Sequence, residues 1–150
     1  MKHYIIDGNN LIGKIPFIKK LQRSDKQASR EKVSFLLGRY FARRKASVSL
    51  HFDGHPGESI KVSGIKIKYS ESRTADERIK IEIERSKNPK NIIVVTSDNN
   101  VAEFAKVCSC QIIKCEDFSR KLLSSSPADE EKKRIDELNN PEEFKRLFGA

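Results

Sequence analysis

Three short apolar runs in this chain each lead into an aspartate. Tyr4-Ile5-Ile6 ends at Asp7, Ser47–Phe52 ends at Asp53, and Asn91–Val95 passes through Thr96-Ser97 to Asp98. Helical periodicity fills the space between them. Val33, Leu36, Leu37, Tyr40 and Phe41 fall at i, i+3, i+4, i+7 and i+8, which predicts an amphipathic helix over about residues 27–44. Short strands alternating with helices predict an α/β domain around a mostly parallel sheet. Parallel strands bring their C-terminal ends to one edge, and ligand crevices open there. A fold of this class would therefore gather all three acids on the edge best suited to bind something.

The rest of the chain fits the same alternation. A loop containing Pro16 separates the first strand from the long helix, and His55-Pro56-Gly57 breaks the chain after Asp53. Ile60–Tyr69 reads as strand material interrupted at Gly64. Thr74-Ala75-Asp76-Glu77 reads as a capping box opening a helix that Asn88-Pro89 ends. Asn91–Val95, the most apolar strand, is the candidate for the sheet centre. A helix carrying Val101, Phe104 and Ala105, a last strand at Gln111–Lys114 and a helix at Asp117–Leu123 follow. Residues 1–123 are thus expected to form the domain. Residues 124–150 would be a Ser/Pro linker and a charged helical tail docked on it through Ile135, Leu138, Phe144, Leu147 and Phe148.

Composition narrows the class of function. The longest uninterrupted apolar run is Ile92–Val95, which is too short to span a membrane, and the start of the chain does not read as a secretory signal. Three cysteines do not make a disulfide framework, so a cytoplasmic protein is expected. The net charge is +9, and residues 1–50 hold twelve Lys/Arg against Asp7, Asp25 and Glu31 alone. The two later thirds are nearly balanced. Such asymmetry suits a polyanionic partner, either nucleic acid or an anionic membrane surface.

Asp76 would add a fourth carboxylate at the start of the helix returning to the sheet. Four acids at one edge repel one another unless some are protonated or a cation sits among them. Hard oxygen donors with no local Cys or His set favour Mg2+ or Mn2+. The chemistry served by such a cluster is metal-assisted attack of water on a phosphodiester. Each acid also has a plainer explanation. Aspartate after a strand commonly begins a turn, Asp98 or Ser97 can cap the following helix, and Asp76 suits a helix dipole.

Tyr4-Ile5-Ile6-Asp7-Gly8-Asn9-Asn10-Leu11-Ile12 resembles the opening motif of the NYN group of PIN-like nucleases. Phe52-Asp53-Gly54, Thr74-Ala75-Asp76-Glu77-Arg78-Ile79 and Val94-Val95-Thr96-Ser97-Asp98 extend the likeness in order and rough spacing. The pattern is similar to the YacP-type bacterial ribonucleases over about residues 3–123. The resemblance implies a PIN-like α/β/α sandwich and a divalent-metal-dependent endoribonuclease that leaves a 5′-phosphate and a 3′-hydroxyl. It implies that Asp7, Asp76 and Asp98 hold the metal, that Asp53 supports it, and that Asn10 orients the site or touches the phosphate. Glu77 stands where many relatives carry a second Asp, which leaves it open between ligand and cap. The rival expectation is a non-catalytic RNA-binding or adaptor domain with the same fold.

RNA, whether messenger or ribosomal RNA presented by the ribosome, is the expected partner, with no membrane and no nucleotide cofactor. At 100° per residue Lys32, Arg39 and Arg43 fall together on the expected 27–44 helix, off its apolar stripe, and form a basic ridge. Lys14 and Arg78 are further candidates for RNA contact. Other chemistries find less support. Cys108, Cys110 and Cys115 lack the paired knuckles and fourth ligand of a zinc site. No phosphate-binding G-x-x-x-x-G-K-[ST] loop occurs. A phosphatase with an aspartyl nucleophile would want a second acid at position 9, where Asn9 stands.

Overall fold

Successive residues of a strand point to opposite faces of its sheet, so Tyr4 and Ile6 must face one layer while His3, Ile5 and Asp7 face another. The computed structural model describes residues 1–124 and shows both layers. The chain runs β1 (Lys2–Asp7), α1 (Gly8–Gly13), α2 (Pro16–Ser24), α3 (Lys26–Phe41), β2 (Ala46–Phe52) and β3 (Ile65–Tyr69). It continues through α4 (Ala75–Arg85), a short 3-10 turn, β4 (Ile92–Val95), α5 (Asn99–Val107), β5 (Gln111–Ile113) and α6 (Cys115–Ser124). The strands form one sheet in the order β3-β2-β1-β4-β5, and every neighbouring pair is parallel. The expected linker and tail beyond Ser124 lie outside the described residues.

The two faces bury different clusters. Ile6, Val48, Leu50, Phe52 and Val95 pack with Leu11, Ile12, Ile15, Ile18, Val33, Leu37 and Phe118, beneath α1, α2, α3 and α6. Ile5, Ile92 and Val94 pack with Ile79, Ile83, Val101 and Ala105, beneath α4 and α5. Burying each such side chain is worth about 1.5–3 kcal/mol, so the two clusters dominate the stability of the sandwich. On the second face β2 presents Ser47, Ser49 and His51 where β1 and β4 present Ile5 and Val94.

Several expectations are corrected. The loop between Asp7 and the long helix is two helices, α1 and α2, with Pro16 at the first turn of α2. Proline is favoured there because its missing N–H is one that a helix start leaves unpaired anyway. α3 ends at Phe41 rather than near 44, so Arg43 lies in the turn beyond it. Only Ile65–Tyr69 of the 60–69 stretch is strand. Gly64 has φ +82°, a turn conformation, and Val62 makes only an isolated antiparallel bridge to Ile65. β4 is buried at all four residues, yet β1 is the middle strand. Hydrophobicity marks an interior strand without ranking its place.

Candidate active site at the strand ends

From β1 the chain builds outward to β2 and β3, then returns to the other side of β1 as β4 and β5. The direction of growth reverses between β1 and β4, the place in such a sheet where ligands bind beyond the carboxyl ends of the strands. Ile6 pairs with Val95, so Asp7 and Thr96 occupy the next position in adjacent strands. Asp7 is 5% exposed. Its Oδ2 accepts from Asn10 Nδ2 at 2.8 Å and from Thr96 Oγ1 at a longer 3.3 Å, and Oδ1 caps the α1 backbone at Asn10. Burial raises its pKa above the ordinary 3.8; these bonds oppose the rise, and the nearby charge of Asp53 adds to it.

The residues after Asp7 each have a structural task. A Cβ on Gly8 would lie 2.7 Å from the His51 carbonyl oxygen and the Phe52 ring, so α1 can start against β2 only with glycine. Asn9 Oδ1 accepts the Asp53 N–H at 2.9 Å, tying the end of β2 to α1. Asn10 holds the Asp7 carboxylate.

Asp53 is exposed, and its Oδ1 accepts the Ala75 N–H at 2.8 Å, which brings the start of α4 to the same edge. Asp76, one residue on, pairs through its buried Oδ1 with Lys80 Nζ at 3.4 Å, and that oxygen accepts no hydrogen bond. Thr74 caps α4 through the Glu77 N–H at 3.1 Å, as expected, and the Glu77 side chain pairs with Arg73 at 3.5 Å. Asp98 Oδ1 accepts from the Asn100 and Val101 N–H groups, which leaves its Oδ2 out of the cap. Asp98 is thus the α5 cap that the plainer explanation anticipated. Among the described residues, no group of three or more His, Cys, Asp or Glu side chains is arranged to hold a metal ion. The structure brings Asp7, Asp53 and the start of α4 together at this edge, with the Asp53 charge acting on Asp7.

The donors suit a hard divalent cation nonetheless. A buried carboxylate whose ionisation burial disfavours, and a buried carboxylate oxygen met only by the Lys80 ammonium at 3.4 Å, are both groups that a divalent cation would stabilise. The thiols do not suit one. Cys115 is buried beside the site, and burial together with the Asp7 charge pushes its pKa up to about 12. None of the three cysteines is paired in a disulfide.

Several residues at this edge were not evident in the sequence. Thr96 touches Asp7 directly. Ser97 Oγ donates to Glu116, which draws the Glu116 pKa down, and accepts the Cys115 N–H at 3.1 Å. Arg30 is 3% exposed; it donates to the Asp53 and His55 carbonyls at 2.6 and 2.9 Å and lies over the Phe52 and Tyr69 rings. Its register was the available signal, since it sits on the same stripe as Val33, Leu37 and Phe41.

The expected cations are scattered. Lys14 is exposed and close enough to influence Glu116 and Cys115. Arg78 Nε donates to the Ser70 carbonyl at 3.2 Å, beyond the end of β3. Lys32 and Arg39 lie on α3, which starts beside the carboxylate edge at Arg30 and ends beside Ala46 at the opposite end of β2. The ridge therefore leads away from Asp7.

The model of the YacP-like NYN domain matches residues 4–147. The crystal structure of Rae1 (YacP) from Bacillus subtilis superposes with a TM-score of 0.75 at 22% identity, covering 98% of this chain and 88% of that one. A mutant of the same protein gives 0.70 at 22% identity, covering 99% and 92%. No curated protein matched the chain.

Proposed function

This chain belongs to the YacP-like NYN domain family, a nuclease-type domain, and from that premise we propose that it is a divalent-metal-dependent endoribonuclease. The observation that carries the proposal is Asp7. A carboxylate buried at the carboxyl end of β1 beside β4, near the charge of Asp53, is costly in a fold that needs only a helix cap there. RNA is the substrate that membership implies. Asp7, Asp76 and Asp98 would hold the cation, Mg2+ or Mn2+, with Asp53 supporting it. When bound, the cation supplies charge neutralisation at the phosphate and activation of water.

The chain's own residues prepare the site. Asn10 and Thr96 fix the orientation of the Asp7 carboxylate. Asn9 and the Asp53–Ala75 bond keep α1, β2 and α4 in register at the edge. Lys14 would take a phosphate arriving from the α1–α2 side.

Labelled RNA incubated with and without Mn2+ tests the assignment. Cleavage is expected with wild type and metal, and its loss in Asp7→Asn and Asp98→Asn. Wild-type rates in both variants would refute the site. That no three His, Cys, Asp or Glu side chains are arranged to hold a metal among the described residues favours one other reading, an RNA-binding adaptor. Binding of RNA without cleavage in either metal would select it.

A further inference from the structure

The second face of β2 is polar along its whole length. From the carboxylate edge, alternate residues run Asp53, His51, Ser49, Ser47, with Lys68 and Lys66 beside them on β3. Opposite stands one stripe of α4, on which Arg78, Glu82 and Arg85 share a side because seven residues make nearly two turns. Two cavities of about 690 and 400 Å³ lie between these walls and share Lys68 and Glu82. The smaller opens beside Tyr69, Glu71 and Arg78, at the end of β3 nearest Asp53. The larger reaches His3 and Ser47 at the far end of the sheet.

The charges lining the groove do not cancel. Glu82 is occupied internally, accepting from His3 at 2.6 Å, His51 at 2.8 Å and Lys68 at 3.0 Å. Lys66 and Arg85 are exposed and make no hydrogen bond or ion pair with any other described residue. Lysine on an edge strand also discourages strand pairing, which would explain Lys66. It explains neither arginine of α4, nor the serines and histidines on the floor, nor the opening of the smaller cavity at Glu71, whose N–H donates to the Gly54 carbonyl next to Asp53.

We infer that this groove between β3 and α4 is the path of the single-stranded RNA backbone as it leaves the carboxylate edge. The inference rests on the nuclease reading above and replaces the α3 ridge as the route. Lys66 and Arg85 contact phosphates directly, and Arg78 stands at the entrance. Complementarity is electrostatic, so binding along the groove is insensitive to base sequence and sensitive to salt.

Anisotropy titration of a fluorescent oligouridylate with the full chain in EDTA, over a series of salt concentrations, reads binding apart from cleavage. Each phosphate contact on a single strand contributes a log–log salt slope of about 0.7. Lys66→Ala/Arg85→Ala should lower the slope by about 1.4 and weaken binding roughly tenfold at 0.1 M salt, with an unchanged circular dichroism spectrum. Lys66→Glu should weaken binding further. Lys32→Ala/Arg43→Ala should change neither quantity. Undiminished affinity and slope in both groove variants would overturn the path, and a loss confined to the α3 variant would move it to that helix. Wild type that fails to bind RNA at all would overturn the nuclease reading and the path with it.

Discussion

At the residue scale, the aspartate-glycine-asparagine-asparagine stretch does more than its motif implied. The sequence marked Asp7 and Asn10 as site residues. It did not disclose that Gly8 is required by an approach of 2.7 Å to β2, or that Asn9 grips Asp53. Both depend on where another strand lies, and no local pattern encodes that. The Asp7 carboxyl has a definite consequence for stability. Its folded pKa is raised, so the folded state disfavours the ion above that value and takes up the proton first as pH falls. The penalty is present at neutral pH and gone below the ordinary 3.8. Asp7→Asn should therefore raise the urea midpoint of the metal-free protein at pH 7.5, and the gain should vanish near pH 3.5. An equal gain at both pH values would mean that the charge is not its source.

At the element scale, α4 is held to the sheet by more than its apolar face. Glu82 collects donors from three strands: His3 of β1, His51 of β2 and Lys68 of β3. Burial alone would raise its pKa, but these three bonds outweigh burial and hold the carboxyl well below its usual 4.5. A depressed folded value stabilises the protein above the unfolded pKa, and that contribution is lost as pH falls below about 4.5 toward the folded value. Glu82→Gln should cost about 2 kcal/mol at pH 7, and the difference from wild type should shrink progressively below pH 4.5. Denaturant melts across that range check it; a pH-independent difference would point to packing instead. None of this cluster was predicted as a unit, since positions 3, 51, 68 and 82 share no local pattern. The α3 ridge shows a related limit of the sequence. Helical spacing correctly grouped Lys32 with Arg39, but only the packing of α3 shows which end of the sheet they reach.

At the scale of the whole molecule, a cation among the carboxylates would couple binding to folding. Any ligand that binds only the native state stabilises it by mass action, by about 2.7 kcal/mol at a hundredfold excess over Kd. Millimolar Mg2+ or Mn2+ should raise the Tm of wild type and leave Asp7→Asn unmoved, as read by thermal melts in matched ionic strength. Equal shifts in both proteins would place the metal elsewhere. The sequence by itself determined the α/β class, the parallel sheet and the three acids at its edge. Apolar periodicity and strand-ending residues are local features, and parallel pairing then forces the strand ends together. Tertiary structure alone decided the strand order, which puts the reversal point between β1 and β4, and the polar second face of β2, which no covering helix fully closes. It also decided that Arg30 is buried over the Phe52 and Tyr69 rings. These are contacts between segments far apart in the chain, and their geometry exists only once the layers have packed.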